Sequence, residues 1–372
     1  MIVANEYIRS LTPYQAGKPI EELERELGIT SSIKLASNEN PLGASEKVIA
    51  AAQQALLKTH FYPDAGCYEL KQTLSNFLSI RPNQITVGNG SENILELIIK
   101  AYLHQDTNAV ISQYAFLTIP ILIQSYGAKA HVVPAKNWGH NIDGMIAAID
   151  DKTRMLFLVN PNNPTGTYTC KTDFEKLLQS VPKHILIVVD EAYVEYINQS
   201  DYPIALDYLP SHPNLVITRT FSKVYGLAGL RLGYAVSSVE IADMLNRARL
   251  PFNVNSIAAA AACTALLDQE HIEKSVVLNQ MGMQQLKNSL YAAGLTFIPS
   301  LGNFIAINVH DAVQIYKSLL LEGIIVRPLH AYDMPQYIRV TIGTHAQNER
   351  FLTAINKVMS ASSVNLSTET IS

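Results

Sequence analysis

The stretch MLFLVNPNNPTG, residues 155–166, places five apolar residues directly before a polar turn, and a similar arrangement recurs in ILIVVDEAY (185–193) and LVITRTFSKVYGLAGLR (215–231). The runs MLFLV and ILIVV are apolar at every position, which is typical of parallel strands covered on both faces. The three segments therefore predict a layered α/β domain with a mainly parallel central sheet.

The same alternation extends toward the N-terminus. Segments Glu92–Leu103 and Phe116–Tyr126 have helical length and apolar spacing, and they lie between short β-branched runs. Strands that alternate with helices favour crossover units and a parallel sheet. The predicted large domain spans residues 46–251, with strands at Ile85–Val87, Ala109–Ser112, Ala130–Val133, Met155–Val159, His184–Val189 and Leu215–Thr220.

The character of the sequence changes after Pro251. An Ala-rich helix at Ile257–Leu267 leads into a helical stretch through Leu290, and short strands and a last helix follow. This order predicts a smaller α+β domain over residues 252–359. Residues 1–45 are too few to fold alone, so we expect an arm that packs on the small domain or on a partner subunit, and the Ser/Thr-rich residues 360–372 predict a flexible tail. The later elements expected are strands near Phe304–Val309, Ile324–Val326 and Tyr337–Ile342, and a helix at Ala346–Met359.

Composition and charge exclude several classes of protein. Of 372 residues, 48% are apolar and only 16% are charged, a balance that disordered chains do not have. The net charge of −4 gives no electrostatic case for binding nucleic acid or an anionic membrane. The longest nearly apolar run, Ile257–Leu267, is far shorter than the ~20 residues of a membrane helix, and the first residues lack the features of a signal peptide. Three dispersed cysteines predict neither disulfides nor a metal site. We therefore expect a cytoplasmic enzyme.

Ligands of open α/β sheets bind beyond the carboxyl ends of the strands. The residues directly after the three apolar runs include Asn163, Asp190, Tyr193 and Lys223, an amide, a carboxylate, a phenol and an amine. An earlier run, ITV, ends in the glycine-rich turn Gly88–Glu92, which opens a helix. Such a turn presents backbone N–H groups and a helix dipole to an anion.

Pyridoxal phosphate requires this whole set of groups. Its aldehyde needs a lysine, its pyridine nitrogen a carboxylate, and its phosphate several donors. Lys223 would form the resting Schiff base and move the proton at the substrate Cα. Asp190 would keep the ring nitrogen protonated, while Tyr193 and Asn163 would donate to the phenolic oxygen and lower the pKa of the Schiff base. The phosphate would contact Ser91, Glu92, Ser222 and Arg231.

The same segments resemble the active site of fold-type I pyridoxal-phosphate aminotransferases, and more narrowly the histidinol-phosphate aminotransferase family. The resemblance extends from the N-terminal arm to about Gly343. It is carried by Asn-Pro-Thr-Gly and by seven further segments, namely Leu11–Tyr14, Leu35–Pro41, Tyr62–Asp64, Arg219–Lys223, Pro251–Asn255, Ile325–Leu329 and Ile338–Gly343. This resemblance implies a fold-type I transferase architecture and a pyridoxal phosphate cofactor.

The resemblance also implies roles for single residues. It identifies Lys223 as the Schiff-base lysine, places Thr220 among the cofactor-binding residues, and matches Tyr114 to the aromatic residue stacked on the cofactor ring. Tyr62 matches a residue that the family donates to the cofactor phosphate of the other subunit, so a homodimer is expected.

The substrates that the resemblance implies differ in charge. Histidinol phosphate carries a phosphate and no carboxylate, whereas glutamate carries two carboxylates, and the arginine fork suits both kinds of group. Arg327 and Arg339 are expected to bind substrate, with Tyr14 of the arm as a hydroxyl donor.

The implied reaction exchanges an amino group between L-glutamate/2-oxoglutarate and imidazole-acetol phosphate/L-histidinol phosphate, in histidine biosynthesis. Two alternatives keep the cofactor: an aromatic amino-acid aminotransferase acting on phenylalanine or tyrosine, and a decarboxylase of the threonine-phosphate type. A regulator with a transaminase-like domain would need a DNA-binding module, and we expect none, because the segments before Glu46 and after Met359 are too short for one.

Overall fold

The structure, a computed structural model, describes residues 2–13 and 17–369. Within these residues the strands are β1 (Ile33–Lys34), β2 (Ile85–Gly88), β3 (Asn108–Ser112), β4 (Lys129–Val133), β5 (Thr153–Val159), β6 (Leu186–Asp190), β7 (Leu215–Thr220), β8 (Gly233–Val236), β9 (Phe297–Ile298), β10 (Phe304–Asn308), β11 (Ile324–Ile325), β12 (Arg327–Pro328) and β13 (Tyr337–Thr341).

Helices connect most of these strands. They are α1 (Glu6–Arg9), α2 (Ile20–Leu27), α3 (Glu46–Leu56), α4 (Tyr68–Leu78), α5 (Ser91–Tyr102), α6 (Thr118–Ser125), α7 (Ile142–Ala147), α8 (Lys171–Ser180), α9 (Ala205–Tyr208), α10 (Val239–Ala248), α11 (Ser256–Leu267), α12 (Gln269–Ala292), α13 (Ala312–Leu321) and α14 (His345–Glu369). Short 3₁₀ turns lie at Pro82–Gln84, Val194–Tyr196, Ala228–Leu230 and His330–Tyr332. In this part of the chain, none of the helices combines the length and the apolar character needed to cross a membrane.

The large sheet has seven strands in the order β2-β8-β7-β6-β5-β3-β4. Neighbouring strands from β7 to β4 are parallel, whereas β8 runs antiparallel to both β2 and β7. The prediction of a mainly parallel sheet is confirmed, and the six predicted strands are present with bounds shifted by at most two residues. Strand β8 was not predicted from the sequence.

Strand β8 brings three backbone segments to one edge of the site. Gly233, its first residue, pairs with Gly88 of β2 on one side and with Thr220 of β7 on the other. A Cβ atom on Gly233 would lie 2.4 Å from the backbone nitrogen of Ser91, so the start of α5 packs directly on this strand. Glycine is required there by the close approach of the two backbones.

Helices cover both faces of the sheet. One face packs against α3, α4 and α8 through side chains such as Val48, Leu70 and Phe174. The other face packs against α5, α6 and α10, with Ile98 and Ile119 among the buried residues. This double cover explains why the central strands are apolar at every position.

A second, smaller sheet has the antiparallel order β12-β13-β10-β9. Its core combines Ile307 and Val340 with residues of α12, α13 and α14. Part of the arm belongs to this layer, because β1 pairs in parallel with β11, and Leu23 and Ala36 pack on Ile325.

Two features of the C-terminal half differ from the sequence prediction. The buried face of α11, which includes Ala258 and Ala262, packs in the core of the large sheet. The predicted boundary at residue 252 therefore assigns to the small domain a helix that packs with the large domain. The last helix does not end at Met359 but continues to Glu369, which covers most of the predicted flexible tail. That segment contains no proline or glycine that would end a helix. Residues 370–372 lie outside the described residues.

Candidate active site

A cavity of about 570 Å³ lies beyond the carboxyl ends of β5, β6 and β7. Its position agrees with the rule for ligand sites in open α/β sheets. Its lining includes most of the cofactor-binding residues predicted from the sequence, namely Ser91, Glu92, Asn163, Asp190, Tyr193, Thr220, Ser222, Lys223 and Arg231. Residues that are far apart in the sequence are therefore brought together around one space.

Lys223 follows the end of β7 by three residues and projects into this cavity. Its Nζ donates a hydrogen bond to the carbonyl oxygen of Ser37 at 3.2 Å and lies 5.7 Å from the centre of the Tyr193 ring. Burial, assisted by the positive charge of Arg339, lowers the pKa of Lys223 to about 8. An amine with this pKa is partly neutral near physiological pH, which is the form that attacks an aldehyde.

Asp190 is the last residue of β6 and is 4% exposed. Its Oδ1 accepts a hydrogen bond from Oγ1 of Thr218 at 3.2 Å. Burial raises the pKa of Asp190 to about 6, although the hydrogen bonds from Thr218 and the backbone of Ala192, and the charge of Lys223, favour ionisation. A buried carboxylate of this kind is stabilised by a cationic partner in the cavity.

Tyr193 accepts two amide hydrogen bonds on its hydroxyl oxygen. Nδ2 of Asn38 lies 2.9 Å from Oη, and Nδ2 of Asn163 lies 3.2 Å from it. Burial keeps the pKa of the Tyr193 hydroxyl well above its ordinary value, so the group stays protonated.

Arg339 joins the small sheet to this cluster. It donates from Nη1 to Oδ1 of Asn163 and from Nη2 to the carbonyl oxygen of Ala36 at 2.8 Å. Its guanidinium carbon lies 5.3 Å from the centre of the Phe304 ring. The Nε atom is buried and has no hydrogen-bond partner among the described residues, so Arg339 retains a free donor.

The opposite end of the cavity is suited to an anion. Arg231 donates to Oε2 of Glu92 at 3.1 Å, to the carbonyl oxygen of Ala228 at 3.2 Å and, at 3.4 Å, to Oγ of Ser222. Gly90, with φ of +89°, precedes α5, and a Cβ there would lie 2.7 Å from Nη2 of Arg231. The first N–H groups of α5, a serine hydroxyl and a guanidinium therefore converge as they do at phosphate sites.

The structure places Tyr114 away from the cavity and Phe116 on its wall. The Tyr114 ring lies 5.5 Å from that of Trp138, in a cluster that includes Leu329 and Met334. The chain turns at residues 113–114, directly after β3, and this turn directs the two aromatic side chains to different surfaces. The expectation that Tyr114 faces the cofactor ring disagrees with this placement.

Tyr62 and Arg327 also lie outside the cavity. Tyr62 is 83% exposed and its ring stacks on Phe252 at 4.8 Å. Arg327 pairs with Arg339 across β12 and β13 but lines a second cavity of about 750 Å³, between the arm, α6 and α13. Tyr14 lies outside the described residues.

Asn38 and Phe116 were missed by the sequence reasoning. Asn38 lies within the family-like segment Leu35–Pro41, but its contact with Tyr193 spans 155 positions and cannot be read from local pattern. Phe116 follows a turn whose direction no periodicity reveals.

Comparisons with known proteins agree with this fold and site. The family model described as Aminotransferase class I and II matches residues 30–355. The chain therefore belongs to the aminotransferase class I and II family, whose members are pyridoxal-phosphate-dependent transferases.

Curated relatives narrow the resemblance further. Histidinol-phosphate aminotransferase 2 of Pseudomonas fluorescens strain Pf-5 is 51% identical over 362 residues, 96% of this chain and 98% of the relative. Histidinol-phosphate aminotransferase of Methylobacillus flagellatus is 50% identical over 354 residues, 95% of this chain and 96% of the relative. These similarities agree with the narrower family that the sequence motifs indicated.

Solved structures support the same assignment. The crystal structure of histidinol-phosphate aminotransferase from Sinorhizobium meliloti in complex with pyridoxal-5'-phosphate has a TM-score of 0.88 and 28% identity, and the match covers 96% of this chain and 98% of that one. A double mutant of Thermus thermophilus aspartate aminotransferase, with a TM-score of 0.85 and 22% identity over 96% of this chain and all of that one, shares the fold. The predicted fold class is confirmed.

The side chains of the cavity suit pyridoxal phosphate. Asp190 is a buried carboxylate with a raised pKa and Lys223 is an amine with a lowered pKa, while Arg339, which adjoins the cavity through Asn163, has a buried Nε without a hydrogen-bond partner among the described residues. The glycine at position 90 leaves room for the guanidinium of Arg231 beside the start of α5. Each part of the cofactor has a chemically matched group.

Proposed function

We propose that the protein is a histidinol-phosphate aminotransferase, which transfers an amino group between L-glutamate and imidazole-acetol phosphate in histidine biosynthesis. The products are 2-oxoglutarate and L-histidinol phosphate. The observation that carries the proposal is the convergence of Lys223 with the buried residues Asp190 and Tyr193 around one cavity at the carboxyl ends of the strands. Relatives of that name at about 50% identity over nearly the whole chain support the choice of substrate.

In this proposal Lys223 binds the cofactor aldehyde covalently and later moves the proton at the substrate Cα. When bound, pyridoxal phosphate supplies an electron-accepting ring and the site that carries the amino group. A pKa of about 8 suits both tasks of Lys223, because the amine can accept and release a proton near neutral pH.

Asp190 provides the negative charge opposite the ring nitrogen, and a cation there would return the pKa of Asp190 toward its ordinary value. Tyr193 and Asn163 hold the phenolic oxygen, and Phe116 is the aromatic side chain placed to cover the ring.

The phosphate is held by Arg231, by the hydroxyls of Ser222 and Thr220, and by the start of α5. Ser91 and Glu92 are the first two residues of that helix, so they contribute backbone N–H groups to the positive end of its dipole. The Glu92 carboxylate would move from Arg231 to admit the phosphate.

Substrate recognition falls to the arginines of the small sheet. Arg339, which is 7% exposed and bonded to Asn163, is placed to bind the carboxylate of glutamate beside the cofactor. Arg327, on the neighbouring strand, and Tyr14 of the arm would bind the second anionic group of either substrate. The two arginines are cross-strand partners, which brings both charges to the same face of the small domain.

A homodimer with shared active sites is part of the proposal. Tyr62 stacks on Phe252 (43% exposed), and neighbouring segments of the chain expose further apolar side chains that a second copy would cover, namely Leu57 (72%), Phe61 (66%) and Leu250 (72%). An apolar surface of this kind marks an association site. A cytoplasmic location is supported by the three free cysteines, which persist as thiols in a reducing compartment.

A half-reaction titration tests the substrate assignment. The purified yellow protein is mixed separately with L-histidinol phosphate, L-glutamate, L-phenylalanine and L-threonine phosphate, and loss of the visible absorbance of the bound cofactor is followed. We expect histidinol phosphate and glutamate to bleach it fastest. Faster bleaching by phenylalanine would favour the aromatic aminotransferase, and release of carbon dioxide from threonine phosphate without a keto acid would favour the decarboxylase.

A further inference from the structure

One tripeptide of the arm contacts three side chains of the site. The carbonyl oxygen of Ala36 accepts from Arg339 at 2.8 Å, and that of Ser37 accepts from Lys223 at 3.2 Å. The next residue, Asn38, donates from Nδ2 to the Tyr193 hydroxyl at 2.9 Å. Asn38 is the member of the three that uses its side chain, so a substitution there tests this contact most directly.

Asn38 is held in one orientation by its surroundings. It is 1% exposed, and its φ of +56° is a left-handed conformation that asparagine tolerates better than most residues. Its backbone N–H donates to Oγ1 of Thr341 at 2.9 Å, and that hydroxyl donates back to Oδ1 of Asn38 at 3.3 Å. Asn303 donates to the Asn38 carbonyl oxygen at 3.0 Å. Because Oδ1 faces the Thr341 hydroxyl, Nδ2 faces Tyr193.

The hydrogen bonds of Tyr193 then decide where its proton points. A phenolic hydroxyl has one proton to donate and a limited capacity to accept. Asn38 and Asn163 both donate to this oxygen, so its acceptor capacity is filled. The hydroxyl proton is therefore directed away from both amides, toward the cavity that Tyr193 lines.

We propose that Asn38 is a positioning residue that keeps the Tyr193 hydroxyl as a donor into the cavity, toward the phenolic oxygen of the cofactor. This inference rests on the proposed role of Lys223 and pyridoxal phosphate. A donor to that oxygen stabilises its negative charge and lowers the proton affinity of the nitrogen that joins cofactor to lysine. Asn38 thereby helps to set the pH at which the bound chromophore takes up its proton.

Other charged and titratable groups also face Tyr193, and the test leaves them in place. They are Arg339 of β13, Asp190 of β6, Lys223 after β7 and Tyr332 of the 3₁₀ turn His330–Tyr332. Because these groups are common to every variant, a difference between variants reports on the hydroxyl and its amide partner.

The experiment is a spectrophotometric pH titration of the holoenzyme, in which the midpoint between the two absorbing forms of the bound cofactor is measured. In Asn38→Ala we expect the midpoint to rise by about one pH unit, the size expected for weakening one hydrogen bond to a charged oxygen. In Asn38→Asp, which is nearly isosteric, the new carboxylate accepts a hydrogen bond from the Tyr193 hydroxyl and draws it away from the cofactor, so we expect a larger rise of the midpoint.

Asn303→Ala is the matched control, because it loosens the same segment without touching Tyr193. Its midpoint should equal that of the unaltered protein. In a Tyr193→Phe background, Asn38→Ala should cause no further shift. The inference is overturned if both Asn38 variants keep the original midpoint, if Asn303→Ala shifts as much as Asn38→Ala, or if the shift persists without the Tyr193 hydroxyl. An unaltered protein that binds no chromophore at Lys223 would instead refute the proposed function.

Discussion

The inner and outer ends of the cavity are built differently. At the inner end, Asp190 and the adjoining Arg339, which is bonded to Asn163 of the lining, are nearly inaccessible to solvent, and the pKa values of Asp190 and Lys223 are displaced in opposite directions. At the outer end, the side chains of Arg231 and Glu92 are 42% and 47% exposed and form an ion pair at 3.1 Å. Groups that exchange protons or stabilise charge are thus kept from water, whereas groups that anchor a phosphate remain close to it.

This contrast predicts an order of effects. Electrostatic interactions strengthen where solvent is excluded, and pairs near the surface are screened by water and salt. Replacing an inner group should therefore alter chemistry strongly, and replacing an outer group should alter affinity modestly. Four sets of variants test this order, from the largest expected effect to the smallest.

The largest effect is expected for Lys223→Ala. This variant loses the covalent attachment and the proton transfer together, so turnover should fall by at least about 10⁴-fold while some cofactor remains bound noncovalently. Steady-state rates and the absorbance of the purified protein measure the two outcomes. Lys34→Ala is the matched control, since Lys34 lines the same cavity but pairs with Glu39 at 3.0 Å. Near-normal turnover in Lys223→Ala would remove this residue from its assigned role.

Asp190→Asn should separate activity from stability. We expect turnover to fall by about 10³-fold, because an amide cannot balance a positive ring nitrogen. The cofactor-free protein should instead become more stable by a few kcal/mol at pH 7.5, since the pKa of Asp190 is about 6 when folded against 3.8 ordinarily, and its ionised form opposes folding.

The pH dependence of that gain gives a second check. Folded Asp190 is largely protonated at pH 5, so the stabilisation should shrink to about half of its value at pH 7.5. Urea unfolding at both pH values measures it. Asp64→Asn should instead lower the free energy of unfolding, because hydrogen bonds from the backbone of Tyr68 and Gly66 lower the pKa of Asp64 and so stabilise its ionised form in the folded protein. A destabilising Asp190→Asn would contradict the view that the inner end is built for charge rather than for stability.

Arg339→Gln should chiefly affect substrate binding. Loss of a bidentate pair with a carboxylate is worth about 2–3 kcal/mol, which lowers kcat/KM for glutamate by about 100-fold. Arg327→Gln is the comparison, because Arg327 lines the second cavity. Steady-state kinetics with glutamate and histidinol phosphate would show which arginine serves which group. Changes below about threefold in both variants would argue against the small sheet as the anion-binding surface.

The smallest effects are expected at the outer end. Arg231→Gln should weaken cofactor binding by about tenfold, and Glu92→Gln should change it by less than about threefold, in the direction of tighter binding, because an exposed ion pair contributes little. Equilibrium dialysis of the cofactor at two salt concentrations measures both. If Glu92→Gln altered affinity more than Arg231→Gln, the outer end would not be a simple anchoring site.

Much of the large domain could be predicted because its strands are buried on both faces. Apart from the start of β5 and the last residue of β6, every position of these two strands is apolar, so their burial is visible in the sequence. Strand β8, Gly-Tyr-Ala-Val, gave no such signal: it is four residues long, begins with a glycine and pairs antiparallel on both sides.

The site residues at the carboxyl ends of these strands were predictable because the strands before them can be recognised in the sequence. The site residues outside the parallel strands were not predictable. Asn38 acts through a left-handed backbone conformation and through Thr341, which is 303 positions away. Phe116 and Tyr114 are two aromatic residues in one short connection, and only the turn after β3 decides which of them faces the cavity. Sequence pattern reports burial and local periodicity; it does not report where an irregular segment is anchored.

The pairing of Thr220 with Gly233 has a mechanical consequence. Since β7 and β8 are hydrogen-bonded neighbours, residues 221–232 form a loop that begins and ends on adjacent strands, at the same end of the sheet. Lys223 and Arg231 both project from this loop, so the loop itself sets the distance between the amine and the guanidinium. Movement of the small domain can change what approaches these two groups while leaving the distance between them intact.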